Sequence, residues 1–180
     1  VLQLSCAEKQ QLYYQLQLNA QEQNRFYFYY FLDDNCTTRA KDMIRKYAAS
    51  PVTFSDILPA DKPTFRNLIH SYLDKSDQPW SKLGIDILLG SRLDKRVTNE
   101  ESMFLPDYLL EGFDSASISA HPLVSAKQTV VSAQEVKVKR SSFRPLLFFS
   151  LLFVLVAGLT LLGTKWAQKL MNIFDRGFFF

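Results

Sequence analysis

The chain is poor in the residues that most often carry chemistry: its 180 residues include two cysteines and two histidines. Cys6 and Cys36 can form at most one bridge, closing a loop of about thirty residues, which is not a disulfide scaffold. The ordinary fate of a free cysteine is burial as a small hydrophobe, and that reading stands beside any reactive one for both thiols. His70 and His121 lie far in sequence from each other and from the cysteines. No metal-ligand spacing results, so neither a metal nor a cofactor is expected. Charge of one sign is also lacking: 21 basic residues face 18 acidic ones. The basic residues are scattered, with no stripe of Lys and Arg interleaved with aromatics, and nucleic acid is excluded as a partner. There is no internal repeat and no low-complexity tract, and the chain opens at Val1 with no initiator Met and no signal n-region, h-region or cleavage site of its own. Gly177 to Phe180 resembles the opening of a further apolar segment, so the chain reads as a fragment cut at both ends.

What is present begins with DDNCTTR, Asp33 to Arg39. Six consecutive aromatics, Phe26 to Phe31, precede it and favour a strand buried on both faces. A helix expected over residues 37 to 49 follows, with Asp34 or Asn35 as its cap and Pro51 beyond its end. Cys36 therefore sits where unpaired backbone N–H groups and the positive end of a helix dipole favour thiolate, the form that attacks carbonyls. The backbone N–H groups of Cys36 and Thr37 could stabilise a developing oxyanion. A dyad also needs a base within hydrogen-bond reach. His70 falls on the polar face of its helix beside Arg66, Asn67 and Asp74, and His121 precedes Pro122 in an extended stretch; both read as solvent-facing. Asp33, Asp34 and Asp42 read as caps and salt-bridge partners of Arg39 or Lys41 rather than as paired acid–base carboxylates.

Elsewhere, residues 7 to 24 suit an amphipathic helix around Leu12 and Leu16. Residues 51 to 63 carry three prolines and read as loop. A helix over residues 64 to 74 has Phe65, Leu68, Ile69, Tyr72 and Leu73 on its apolar face. Pro79 can open another that runs to Leu89 and closes at Gly90. Thr98 to Glu101 form a capping box for a helix that Pro106 bends. Val124, Val130, Val131, Val136 and Val138 read as short strands. Lys137, Lys139, Arg140 and Arg144 then precede an apolar run long enough to span a bilayer. Lys165 and Trp166 mark its far interface. Lys165, Lys169 and Arg176 nearly balance the basic residues before the run, so charge does not fix its orientation.

The runs FYFYYFLDDNCTTRAKDMI, PTFRNLIHSYLDKSDQPWSKLGIDILLG and ESMFLPDYLLEGF resemble the Lnb N-terminal periplasmic domain family of Gram-negative bacteria, over roughly residues 7 to 135. The resemblance implies an α+β fold, a partial permuted papain-like domain followed by a transmembrane helix. In that organisation residues 1–138 are the C-terminal part of a periplasmic domain and 139–145 a basic juxtamembrane linker. Residues 146–164 are the membrane helix, and 165–180 a juxtamembrane segment with the start of a possible second span. It further implies a cysteine acyltransferase in the inner membrane, with residues 1–138 facing the periplasm. Cys36 would take an acyl chain from a phospholipid as a thioester and pass it to the N-terminal amine of a lipoprotein, with Thr37 as a backbone oxyanion donor. In permuted enzymes the histidine lies upstream of the cysteine, and no His precedes Cys36 here. The expectation is activity in the full-length protein and none in residues 1 to 180 alone. An envelope cysteine hydrolase of the same fold and a non-catalytic envelope scaffold are the competing readings.

Overall fold

The computed structural model describes residues 1–119, 121–132, 143–162 and 165–179. Helices dominate a mixed α and β chain: α1 (Cys6–Ala20), α2 (Cys36–Tyr47), α3 (Phe65–Lys75), α4 (Pro79–Leu89), α5 (Asn99–Ser102), α6 (Pro106–Ser115), α7 (Pro145–Leu162) and α8 (Lys165–Phe179). Three two-residue strands, β1 (Val52–Thr53), β2 (Ser117–Ile118) and β3 (His121–Pro122), form one antiparallel sheet in that order. The chain divides into two compact units, Val1–Ile69 with Leu89–Val136, and His70–Leu88 with Lys137–Phe180.

In the first unit, polar caps set the helix starts. Ser5 and Glu8 form a reciprocal box at α1, as Thr98 and Glu101 do at α5, and Asn35 caps α2. Pro106 opens α6 as its first residue instead of bending a longer helix, because its missing N–H costs nothing there. Val52 pairs with Ile118, and Ile118 with His121. Around this sheet Leu4, Ile44, Val52, Ala116, Ile118 and Leu123 are buried together. Leu12 of α1 packs against them, although α1 buries no residue fully and is less amphipathic than its pattern suggests. The Phe104 ring meets Phe65 at 5.2 Å and Phe31 at 6.1 Å, and Leu93 and Met103 are fully buried in the same unit.

Several expectations are corrected. Phe26 to Phe31 do not form a buried strand: Phe26 is 74% and Phe28 85% exposed. A ladder needs a partner backbone, and among the described residues this segment makes only the tight Tyr30–Asp34 bridge. The prolines of residues 51 to 63 leave room for β1. Val124 makes a single bridge to Leu2, while Val130 and Val131 are exposed and outside any strand. Val136, Val138, Lys137, Lys139 and Arg140 lie outside the described residues, as do Gly163 and Thr164 at the end of the apolar run.

The second unit contains the α3 C-terminal turns, α4, α7 and α8. Gln78 N–H donates to Leu73 O and closes α3 into a turn in which Asp77 has φ +47°. Gly90, just after α4, has φ +55°, the backbone region that favours glycine at a helix end. α7 is 18 residues with mean hydropathy 2.5 and no part of it buried, long and apolar enough to cross a membrane. α8 is amphipathic, with Lys165, Lys169 and Arg176 exposed.

Candidate functional site

Cys36 is the first residue of α2, and Asn35 makes that start rigid. Its Oδ1 accepts from Thr37 N–H at 2.8 Å and Thr38 N–H at 2.9 Å. Its Nδ2 donates to Phe31 O and Phe104 O, both at 2.9 Å. Asn35 N–H in turn donates to Thr38 Oγ1 at 2.9 Å. A side chain 4% exposed thus uses four hydrogen bonds to tie the helix start to the preceding loop and to the Phe104 segment. Asn35, not Asp34, is the cap. Asp34 instead accepts two bonds from Arg39, at 2.7 and 2.9 Å. That guanidinium holds the Asp34 carboxyl below its ordinary value. Arg39 also lies 3.4 Å from the centroid of the Tyr27 ring, and Asp33 accepts from Arg92 at 2.6 Å.

The Cys36 thiol is free and exposed, as is that of Cys6, so neither thiol is the buried hydrophobe of the alternative reading. Thr37 Oγ1 lies 3.9 Å from Cys36 Sγ. The Thr37 N–H expected as an oxyanion donor is occupied by Asn35 Oδ1 in this structure. Among the described residues no hydrogen bond takes the Cys36 N–H, which leaves that amide available at the helix start. The Tyr29 phenol is pushed above its usual value, first by burial, then by its neighbours Cys36 and Tyr27.

Two apolar hollows meet at Cys36. One, of about 650 Å³, is lined by Leu2, Thr37, Pro106, Leu109, Leu110 and Val124 among others; the second, of about 450 Å³, by Leu12, Leu16, Met43 and Ile44. Leu2, Cys36, Ala40 and Phe113 line both. Both volumes fall in the range of about 300–1,000 Å³ typical of small-molecule sites. Ala40 stands one helical turn after Cys36 on the same face, a signal already present in the sequence. Phe113 and Leu109 arrive from α6, some seventy residues away, and nothing local marks them.

The histidines do not complete a dyad. His121 is exposed in β3, as the sequence indicates. His70 is not a surface histidine: its side chain is 18% exposed and its Nε2 lies 2.8 Å from Asp86 Oδ1. No hydrogen bond joins Cys36 to either imidazole among the described residues. Nor do those residues contain a cluster of three or more His, Cys, Asp or Glu that could hold a metal ion.

Compared with known proteins, residues 1–71 match the family described as the Lnb N-terminal periplasmic domain. The match covers the Cys36 turn and less than half of the chain, a shorter span than the motifs suggested. No curated protein and no solved structure matches significantly. The match, with α7, suggests a membrane-associated envelope protein facing the periplasm.

Proposed function

We propose that Cys36 is the nucleophile of an inner-membrane cysteine acyltransferase, set in a permuted papain-like arrangement. The observation that carries this reading is an exposed thiol at a helix start, on the shared floor of two apolar hollows. The thiolate attacks an ester carbonyl of a phospholipid, and the tetrahedral oxyanion is met by the Cys36 N–H and the positive end of α2. The C–O bond then breaks, lysophospholipid leaves with a proton, and the acyl chain stays on sulfur in the apolar hollows. The neutral α-amine of a lipoprotein attacks the thioester and forms the amide, its N–H proton passing to solvent, from which the lysophospholipid drew its own, and the C–S electron pair returning to sulfur as thiolate. Thr37 contributes a donor to the oxyanion only if its N–H leaves Asn35, so its part is secondary to that of Cys36. A helix able to cross the bilayer supports substrates that are themselves membrane-bound, since tethering raises their effective concentration.

The thiol still needs a proton acceptor, and because Cys36 has no imidazole partner among the described residues, residues 1–180 alone are expected to be inactive. The test uses the full-length protein in membranes with a phospholipid carrying a tagged acyl chain. A hydroxylamine-sensitive adduct on Cys36, absent in Cys36→Ser, is expected. Products formed with and without an amine acceptor separate the transferase from a hydrolase of the same site. No adduct on Cys36 and no product, with envelope function intact in Cys36→Ser, would leave the scaffold reading in place.

A further inference from the structure

In the second unit, α4 is turned inside out. Its charged positions, Lys82 and Asp86, are one helical turn apart and both bond to α3: Lys82 Nζ to Asp74 Oδ1 at 2.7 Å, Asp86 Oδ1 to His70 Nε2 at 2.8 Å. The apolar positions Trp80, Leu83, Gly84 and Ile87 follow the i, i+3, i+4, i+7 spacing of a single stripe on the other side. Ile87 is 73% and the adjoining Leu88 83% exposed, and α4 buries no residue. A helix that bonds its charges to protein while Ile87 and Leu88 stay exposed and Leu83 and Gly84 are only half-buried is built for surroundings other than water.

The contacts of Trp80 say which surroundings. Its ring lies 5.6 Å from Phe148, 6.3 Å from Phe149 and 6.4 Å from Phe143, centroid to centroid. Its Nε1–H donates to Phe143 O at 2.9 Å. Phe148 and Phe149 belong to the first turns of α7. At about 1.5 Å per residue, an 18-residue helix is about 27 Å long, close to the ~30 Å apolar thickness of a bilayer, which leaves its ends at the two boundaries. Trp80 then sits at the boundary, the depth where a ring with one polar N–H is most at ease.

We propose that α4 is an interfacial helix, lying in the headgroup region beside the start of α7 with the Trp80–Ile87 stripe against lipid. This rests on α7 spanning the membrane. It gives the unit a second, shallow hold on the bilayer, with the Lys82–Asp74 and His70–Asp86 pairs locking α4 to α3 on its protein side.

The test reconstitutes the full chain in phosphatidylcholine vesicles and uses tryptophan emission. Trp166→Phe leaves Trp80 as the sole emitter; Ile87→Trp in a Trp80→Phe, Trp166→Phe background reports from the far end of the stripe. Bromine near the carbonyl end of the acyl chain is expected to quench both emitters severalfold more than bromine near the terminal methyl, and both are expected to be shielded from aqueous iodide. Iodide quenching at position 87 as strong as for free tryptophan would overturn the proposal. So would shielding from iodide and bromine alike, the pattern of a surface covered by protein. Release of the chain from membranes by alkaline carbonate would sink the reading of α7 itself, and this one with it.

Discussion

Asn35→Ala is the sharpest probe of how the Cys36 turn is held. The substitution removes a cap acceptor shared by the Thr37 and Thr38 amides, and losing such a cap costs about 1 kcal/mol. It also strips the carbonyls of Phe31 and Phe104 of their donor, and a buried orphaned acceptor costs about 1–3 kcal/mol unless water reaches it. With partial relaxation the sum is about 3 kcal/mol, on the order of 10 °C in melting temperature. Asn35→Ser keeps a cap oxygen and loses only the Nδ2 bonds, so it is expected to fall between wild type and Asn35→Ala. Asn35→Asp is the informative variant. At an ordinary cap Asp substitutes well for Asn, but here a second carboxylate oxygen would face two carbonyl oxygens, so Asn35→Asp is expected to be no better than Asn35→Ser. Urea or thermal unfolding of the chain in nanodiscs gives the stabilities, and amide exchange at Thr37 and Thr38 gives the local effect. If all three variants lie within about 0.5 kcal/mol of wild type, the range of an ordinary surface substitution, the four-bond anchoring is not what fixes the turn.

Gly112→Ala places a Cβ 2.8 Å from Met103 Sδ and against its Cε, with Met103 fully buried, so a loss of about 1–2 kcal/mol is expected in denaturant unfolding. The Glu8 carboxyl lies below its ordinary value because it accepts the Ala49 N–H first, then bonds to the Ser5 side chain and backbone. A depressed carboxylate stabilises the fold above its unfolded value of about 4.5, and that stabilisation fades as pH falls through the lower folded value. Denaturation midpoints of wild type are therefore expected to drop on acidification below that point, and to drop less in Glu8→Gln. Ala40→Phe fills the space beside Cys36 common to both hollows. Alkylation of the thiol by a small reagent should persist while acylation from a long-chain phospholipid falls; equal loss of both would place the acyl chain elsewhere.

Elements whose signals are local were legible in the sequence. Thr98 with Glu101, Pro79 and Gly90 mark helix ends through bonds and backbone angles confined to a few neighbours, and α4 runs from Pro79 to Leu89 as read. The Cys36 helix start was legible for the same reason, although the choice between Asp34 and Asn35 was settled by Phe104, sixty-nine residues downstream. The aromatic run misleads because β-propensity expresses fit to a pleated neighbour, and among the described residues its only bridge is the local one of Tyr30 with Asp34. His70 misled in the opposite direction: its polar helical neighbours suggested water, but Asp86 on α4 receives it. The lining of the hollows from α6 is a long-range outcome that spacing alone does not encode.

A nucleophilic Cys36 carries the acyl chain on its sulfur between the two transfers. Full-length protein incubated in membranes with tagged-acyl phospholipid, quenched in acid and digested, is predicted to give the peptide spanning Cys36 with the acyl mass in a hydroxylamine-labile linkage. The same peptide recovered unmodified, while transfer to an amine acceptor proceeds, would contradict it.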